Sequence, residues 1–353
     1  MHVVSTAALP IDLSALVTAA LPGSTVDVPS EGHVGVDRVD LANADALVCL
    51  LLDRIDARVL DRAPKLKVVA NCAVGIDNLD LLALAARGIV ATNTPDVLTE
   101  ATAEMAFALM LAAARRVGEG ERMVRAGQWN GWELDQLLGQ SLLGKTLGIV
   151  GFGRIGQAMA RRGHGFGMRV IYASSRKTAP SPSAPTPSAP TPSAPTPSVP
   201  TPSAPAPPAP TPERVDLDAL FQTADVISLH CPLTPQTANL VNARTLSLVK
   251  PTAVLVNTAR GGCVDEAALA DALASGRLFA AGLDVYAREP EIHPRLRTSE
   301  RVVLAPHLGS ATTETRTQMA RLCADAVIAV LSGRMPSTMV RRDAMTGGKG
   351  EGA

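Results

Sequence analysis

The chain has 353 residues, 46% hydrophobic and 19% charged, and its 33 basic and 33 acidic side chains cancel to a formal net charge of zero. That length accommodates two domains, and the balanced charge gives no electrostatic basis for a nucleic-acid partner or an anionic membrane surface. No basic N-terminal region precedes a long apolar run and no apolar stretch approaches the ~20 residues that span a bilayer, so the cytoplasm is the expected compartment.

Short β-branched or apolar runs bounded by turn residues alternate with stretches of helical spacing, a pattern that predicts parallel sheets with crossover helices. ALVCLL from Ala46, LKVVANC from Leu66 and IVATN from Ile89 come first. The longest helical stretch follows, TEATAEMAFALMLAAARRVGEGERMVRAG from Thr99, in which Thr99, Glu100 and Glu104 suit a capped N-terminus. Then come TLGIVG from Thr146, MRVIYAS from Met168, DVISLHCP from Asp225, TAVLVNTA from Thr252, AAGLDVY from Ala280 and RVVLAPH from Arg301. A second long helix is predicted from Gly309, and after Met335 the chain turns polar and glycine-rich, as in a frayed tail. The five cysteines (Cys49, Cys72, Cys231, Cys263, Cys323) are scattered without C-x-x-C spacing. They read as reduced core thiols, and no metal site is indicated.

In GKTLGIVGFGRIGQAMARRG a buried strand runs into Gly151, Gly153 and Gly156, and a helix follows. Gly151 suits a tight turn, Gly153 a close approach of backbone to pyrophosphate and Gly156 the packing of helix on sheet. Arg154 and Ile155 open the helix, whose unpaired N–H groups would face the phosphates. The next strand ends in Ser174, Ser175, Arg176 and Lys177. An NAD site normally carries Asp or Glu there to accept from the ribose hydroxyls. Hydroxyls and a guanidinium would instead hold a 2′-phosphate, so NADP(H) is the preferred cofactor and NAD(H) the alternative.

From Pro180 to Pro212 a near-repeat of PTPSA places proline at every second or third position. Proline lacks an N–H and costs ~3 kcal/mol at each interior helix position, so no helix can form there. The segment reads as a polyproline II or disordered insertion that replaces a crossover, with Arg214–Asp216 left as an edge strand. A solvated spacer, a docking segment for a proline-binding partner and a defect in the sheet cover are its three readings.

Arg260 in NTARGGCVDE, Asp284 and Glu289 in GLDVYAREP, and His307 in APHLGSAT each follow an apolar strand. Open α/β sheets place ligands at such carboxyl ends. Reduction of a 2-keto acid needs a cation that grips the carboxylate and polarises the carbonyl, and an acid that protonates the nascent alkoxide. Arg260 suits the first task and His307 the second. Glu289 is the candidate carboxylate to fix the imidazole tautomer and raise its pKa. His230 in SLHCPL reads as a structural histidine.

These segments, with NCAVGIDNLDL, TPDVLTEATAE, LHCPLTPQT and VNTARGG, resemble the D-2-hydroxyacid dehydrogenases, most closely their glyoxylate/hydroxypyruvate reductase branch, from about Val48 to Met335. The resemblance implies an NAD(P)-dependent enzyme with two doubly wound, Rossmann-like parallel-sheet domains and an interdomain cleft. Residues 1–98 and the helix within 308–336 would form the substrate domain, and 99–307 the dinucleotide domain, interrupted by the insertion at 178–212. Residues 337–353 would be a flexible tail. It implies Arg260, Glu289 and His307 as the catalytic set and a contact of Asp284 with the nicotinamide carboxamide. Thr102, Pro232, Thr258 and Ala259 would line the dinucleotide, and the Val74 and Gly75 N–H groups would hold the substrate carboxylate, together with Arg260 and His307. GQWNGWE resembles the branch's W-x-x-W loop, so Trp132 either reaches the neighbouring subunit's active site in a homodimer or is structural. The expected partner is otherwise a small 2-keto or 2-hydroxy acid.

Overall fold

The computed structural model describes residues 1–175 and 211–340. The chain divides into two compact units, Met1–Leu98 with the residues from Ser310 onward, and Thr99–Gly309. The second unit runs two residues past the expected boundary at His307. The N–H groups of Leu308 and Gly309 donate to the Asp284 carboxylate, which ties both residues to it.

The first unit is a five-stranded parallel sheet of β1 (His2–Ser5), β2 (Thr25–Asp27), β3 (Ala46–Cys49), β4 (Val68–Asn71) and β5 (Val90–Thr92), in the order β2-β1-β3-β4-β5. Its helices are α1 (Leu13–Ala20), α2 (Ala57–Asp61), α3 (Leu81–Ala86) and the long helix Thr313–Leu331. Successive strand residues point to opposite faces, as a pleat requires. Val3, Ala46, Val48 and Val68 pack with Leu13, Val17 and Val327 on one face, whereas Val4, Leu47 and Val69 pack with Val59, Leu60 and Leu84 on the other. Burial on both faces explains why the strand sequences are continuously apolar. The short strand β2 is marked by no apolar run, because it has no buried residue.

The expected tail is corrected at its start. The Asn93 N–H donates to the Thr338 carbonyl at 3.2 Å and the Val340 N–H to the Ala91 carbonyl at 2.9 Å, and Val340 is buried. The apolar side chain and the open edge of β5 satisfy each other. Residues 341–353 lie outside the described residues.

The second unit contains α4 (Thr99–Ala114), α5 (Val117–Arg125), β6 (Thr146–Val150), α6 (Arg154–Gly165), β7 (Arg169–Ala173), β8 (Glu213–Arg214), α7 (Leu217–Thr223) and β9 (Val226–Leu229). It continues with α8 (Ala243–Leu248), β10 (Val254–Asn257), α9 (Glu266–Ala274), β11 (Ala280–Leu283), α10 (Pro294–Arg297) and β12 (Val302–Leu304), so the helix Thr313–Leu331 of the first unit is α11. The seven strands are parallel in the order β12-β11-β10-β9-β6-β7-β8. Both sheets, covered by helices on two faces, make the fold doubly wound α/β. On one face Leu147, Ile149, Val254 and Val256 meet Ala106, Met110 and Met159; on the other Ile171, Ile227, Leu255 and Ala281 meet Phe221, Leu246, Leu269 and Leu273. At Gly148 a Cβ would come within 2.8 Å of Ala224 and Leu220, so only glycine lets α7 lie this close to β6.

Three local expectations change. The helical stretch from Thr99 breaks at Arg116, which adopts φ 55°, and the Gln140 N–H takes the Ala114 carbonyl at 2.8 Å. Thr99 is the first helical residue, and Glu100 and Glu104 pair with Arg162 of α6. The edge strand after the insertion is Glu213–Arg214, one residue early, because Asp216 is the N-cap of α7. The expected proline-rich insertion lies outside the described residues except for Thr211 and Pro212, as do its spacer and docking readings and residues Arg176 and Lys177.

Candidate active site

The sheet of the second unit reverses its order at β6, which has β7 on one side and β9 on the other. Ligands of open α/β sheets bind beyond the carboxyl ends of strands at such a switch. The glycine loop emerges there. Gly151 has φ +92°, and a Cβ on it would lie 2.6–2.7 Å from the backbone of His230 and Cys231, so the loops after β6 and β9 touch. A Cβ on Gly156 would lie 2.3 Å from the Gly151 carbonyl oxygen, which closes the turn onto α6. At Gly153, the N-cap of α6, a Cβ would meet nothing within 4 Å. Two glycines are thus required by the fold, while the third borders open space at a helix N-terminus flanked by Arg154 and Ile155. A dinucleotide pyrophosphate fits this arrangement. Thr258, after β10, is buried, and its hydroxyl has no hydrogen-bond partner among the described residues. Ala259 is half-buried beside it, Thr102 is buried in the first turn of α4, and Pro232 is exposed beyond β9.

Ser174 and Ser175 close β7, and the Arg214 guanidinium donates to the Ser174 carbonyl at 2.9 Å. Pairing of β7 with β8 therefore brings a cation to this strand end from beyond the insertion. No local pattern in the sequence marks Arg214 for that place.

Arg260, Glu289 and His307 converge. His307 Nδ1 lies 2.8 Å from Glu289 Oε2, and Glu289 Oε1 accepts the Tyr286 N–H at 3.0 Å. Burial pushes the Glu289 carboxyl up, but the hydrogen bonds from His307 and Tyr286 and the charges of His307 and Arg260 outweigh it, leaving the group below its ordinary value. Arg260 is brought near by a contact that only glycine permits, since a Cβ on Gly261 would lie 1.8 Å from the Tyr286 carbonyl carbon. The buried Asn257 shapes the same turn: its carboxamide donates to the Arg260 carbonyl at 2.9 Å and accepts from the Ala259 N–H at 3.0 Å. Asn257, Gly261 and Tyr286 are site-building residues that sequence reasoning missed, although the Gly-Gly pair after Arg260 was a legible sign of close approach.

His307 adopts φ 55°, a conformation uncommon for a residue other than glycine. It is held by its N–H on the Asp284 carbonyl at 2.9 Å, while the Leu308 and Gly309 N–H groups reach the Asp284 carboxylate at 2.6 and 2.7 Å. Asp284 is fully buried, and burial raises its pKa despite those bonds and the nearby His307. The structure thus engages both Asp284 oxygens with the loop that carries His307. His230 faces Ser228 Oγ at 2.8 Å, and burial lowers its pKa to about 4, consistent with a neutral structural ring.

In the first unit, Val74 and Gly75 lie on the half-buried loop after β4. Trp132 lies on a loop of the second unit, 78% exposed, with Trp129, Leu134 and Leu138 also exposed.

A family model described as "D-isomer specific 2-hydroxyacid dehydrogenase, NAD binding domain" matches residues 107–189 and 200–309. The glyoxylate reductase of Thermococcus litoralis is 45% identical over 316 residues, 88% of each chain. The TT0316 protein of Thermus thermophilus superposes with a TM-score of 0.81 at 41% identity, over 97% of this chain and all of that one. The NADPH-dependent glyoxylate/hydroxypyruvate reductase of Sinorhizobium meliloti, solved with NADP and malonate, gives a TM-score of 0.76 at 31% identity over 100% and 99% of the two chains.

Proposed function

The chain belongs to the D-isomer-specific 2-hydroxyacid dehydrogenase family, and from that premise we propose that it is an NAD(P)-dependent reductase of small 2-keto acids, turning glyoxylate into glycolate or hydroxypyruvate into D-glycerate. The observation that carries this reading is the His307–Glu289 hydrogen bond with Arg260 beside it.

A bound nicotinamide cofactor supplies the hydride. Gly153 and the first turn of α6 hold its pyrophosphate, while Thr102, Pro232, Thr258, Ala259 and the Asp284 loop line the rest. Arg260 draws charge toward the carbonyl oxygen as negative charge develops there, and in the first unit the Val74 and Gly75 N–H groups are the proposed donors to a carboxylate. His307, with Nδ1 engaged by Glu289, presents Nε2 to protonate that oxygen, and the Glu289 carboxylate stabilises the imidazolium that gives up the proton.

NADP(H) is the proposed cofactor. The end of β7 carries hydroxyls and a nearby guanidinium in place of a carboxylate, and the S. meliloti relative binds NADP. The exposed apolar run around Trp132 suits association with a second copy of the chain. The cytoplasm is the proposed compartment: all five thiols are free, and no helix of the described residues is long and apolar enough to cross a membrane.

Purified full-length protein, NADPH or NADH, and glyoxylate, hydroxypyruvate, pyruvate and 3-phosphohydroxypyruvate test the reading. Oxidation of NADPH with the first two is expected. No oxidation of either cofactor with any of the four would refute it.

A further inference from the structure

Three consecutive carbonyls of the loop after β4 are each held from within the first unit. The Ala73 carbonyl accepts the Thr94 N–H at 2.9 Å, the Val74 carbonyl the Asn93 carboxamide at 2.8 Å, and the Gly75 carbonyl the Asn71 carboxamide at 2.8 Å. The Val74 and Gly75 N–H groups have no acceptor among the described residues, and both residues are half-buried. A trans peptide points its N–H opposite to its C=O. Fixing the Val74 and Gly75 carbonyls therefore also fixes the N–H groups of Gly75 and of the residue after it, and the Ala73 carbonyl fixes the N–H of Val74. The two asparagines are themselves constrained. Asn71 is fully buried and exchanges hydrogen bonds with Asn78 at 3.2–3.3 Å, and Asn78 is anchored on the Leu50 and Asp53 carbonyls at 3.2 and 3.0 Å. Asn93 is tethered through its own N–H to the Thr338 carbonyl.

We propose that Asn93 is a positioning residue whose carboxamide, by holding the Val74 carbonyl, keeps the Gly75 N–H directed at the carboxylate of the substrate, while Asn71 steadies the next peptide of the same loop. Preorganised backbone donors bind an anion without the cost of ordering the loop on binding. The inference rests on the reading of Val74 and Gly75 as the carboxylate site, and it concerns the carboxylate shared by 2-keto acids rather than the rest of the substrate. In this proposal Asn93 acts through the Gly75 N–H rather than as a ligand of the substrate.

Its test uses the full-length protein with Asn93→Leu, which keeps the size and loses the donor, and Asn93→His, which restores a ring N–H. Calorimetric titration with oxalate, a small dicarboxylate that is not turned over, is paired with steady-state kinetics on glyoxylate. Asn93→Leu is expected to weaken oxalate about tenfold and raise the glyoxylate KM about tenfold, with kcat and the cofactor KM within twofold. Asn93→His should recover most of the loss. Oxalate affinity unchanged in Asn93→Leu, an equal loss in Asn93→His, or no oxalate binding by the unsubstituted protein would overturn the proposal. Oxalate binding that follows Asn93 in a protein that reduces no 2-keto acid would uphold it while refuting the proposed reaction.

Discussion

His307 Nδ1 and Glu289 Oε2 stand 2.8 Å apart although 18 residues separate them in the chain, and the second oxygen of the same carboxylate is fastened to the Tyr286 N–H. The carboxylate therefore has one orientation, and so does the ring. His307→Ala is expected to lower kcat by about 10²–10⁴, the usual contribution of a positioned acid, and Glu289→Gln by an amount nearer the low end. Steady-state kinetics with saturating NADPH and glyoxylate measures both. Unchanged kcat in both variants would remove His307 from the acid role.

Two glycines of the same motif should behave in opposite ways. Gly153→Ala adds a methyl that meets nothing within 4 Å, so the fold should keep its unfolding temperature while the cofactor KM rises about tenfold or more. Gly156→Ala places a Cβ 2.3 Å from the Gly151 carbonyl oxygen and should cost about 1–3 kcal/mol of stability. Thermal unfolding without cofactor, followed by cofactor titration, separates the two. Equal destabilisation in both would argue against open space at Gly153.

On the proposed preference for NADP(H), cofactor choice would be set at the end of β7 and by Arg214 of β8. Ser174→Asp should shift kcat/KM toward NADH by about tenfold or more, because a carboxylate repels the 2′-phosphate and accepts from a 2′-hydroxyl. Arg214→Ala should raise the KM for NADPH more than that for NADH. An unchanged NADPH:NADH ratio in both variants would place the phosphate elsewhere.

Acid should destabilise the protein through His230, whose pKa falls from 6.5 to about 4 on burial. Between those values the unfolded chain binds a proton that the folded chain refuses. This group's contribution is therefore fully present above pH 6.5, is lost as pH falls toward about 4, and amounts to up to about 3 kcal/mol. Glu289 acts below that range: its carboxyl is held under the ordinary 4.5, so its contribution is present above that pH and is lost as pH falls through the folded value. Urea unfolding at several pH values, compared with His230→Gln, isolates the histidine. A slope between pH 6.5 and 4.5 that the variant leaves intact would exclude His230 as its source.

The strand runs from Ala46 to His307 and the glycine motif after Val150 were legible because their causes are local. A strand buried on both faces is apolar throughout, and a turn at φ +92° favours glycine on local backbone grounds. The carboxyl-end placement of Arg260, Glu289 and His307 could be read for the same reason, since each follows such a run. Residues 338–340 could not be read, because a polar, glycine-rich neighbourhood hides the two hydrogen bonds that join them to the β5 edge. The break of the long helix at Arg116 was equally hidden, since the partner of the Ala114 carbonyl is Gln140.

Sequence alone therefore determined the doubly wound α/β class, the dinucleotide turn and the residue types offered for chemistry. The tertiary structure decided which of those residues touch. The 2.8 Å between His307 and Glu289, the approach of Tyr286 to Gly261, the arrival of Arg214 at Ser174 and the asparagine clamps on Val74 and Gly75 depend on how separate segments are set side by side. A hydrogen bond needs its donor and acceptor within about 2.5–3.2 Å and well aligned, whereas spacing along a chain constrains such geometry only within a single helix, strand or turn.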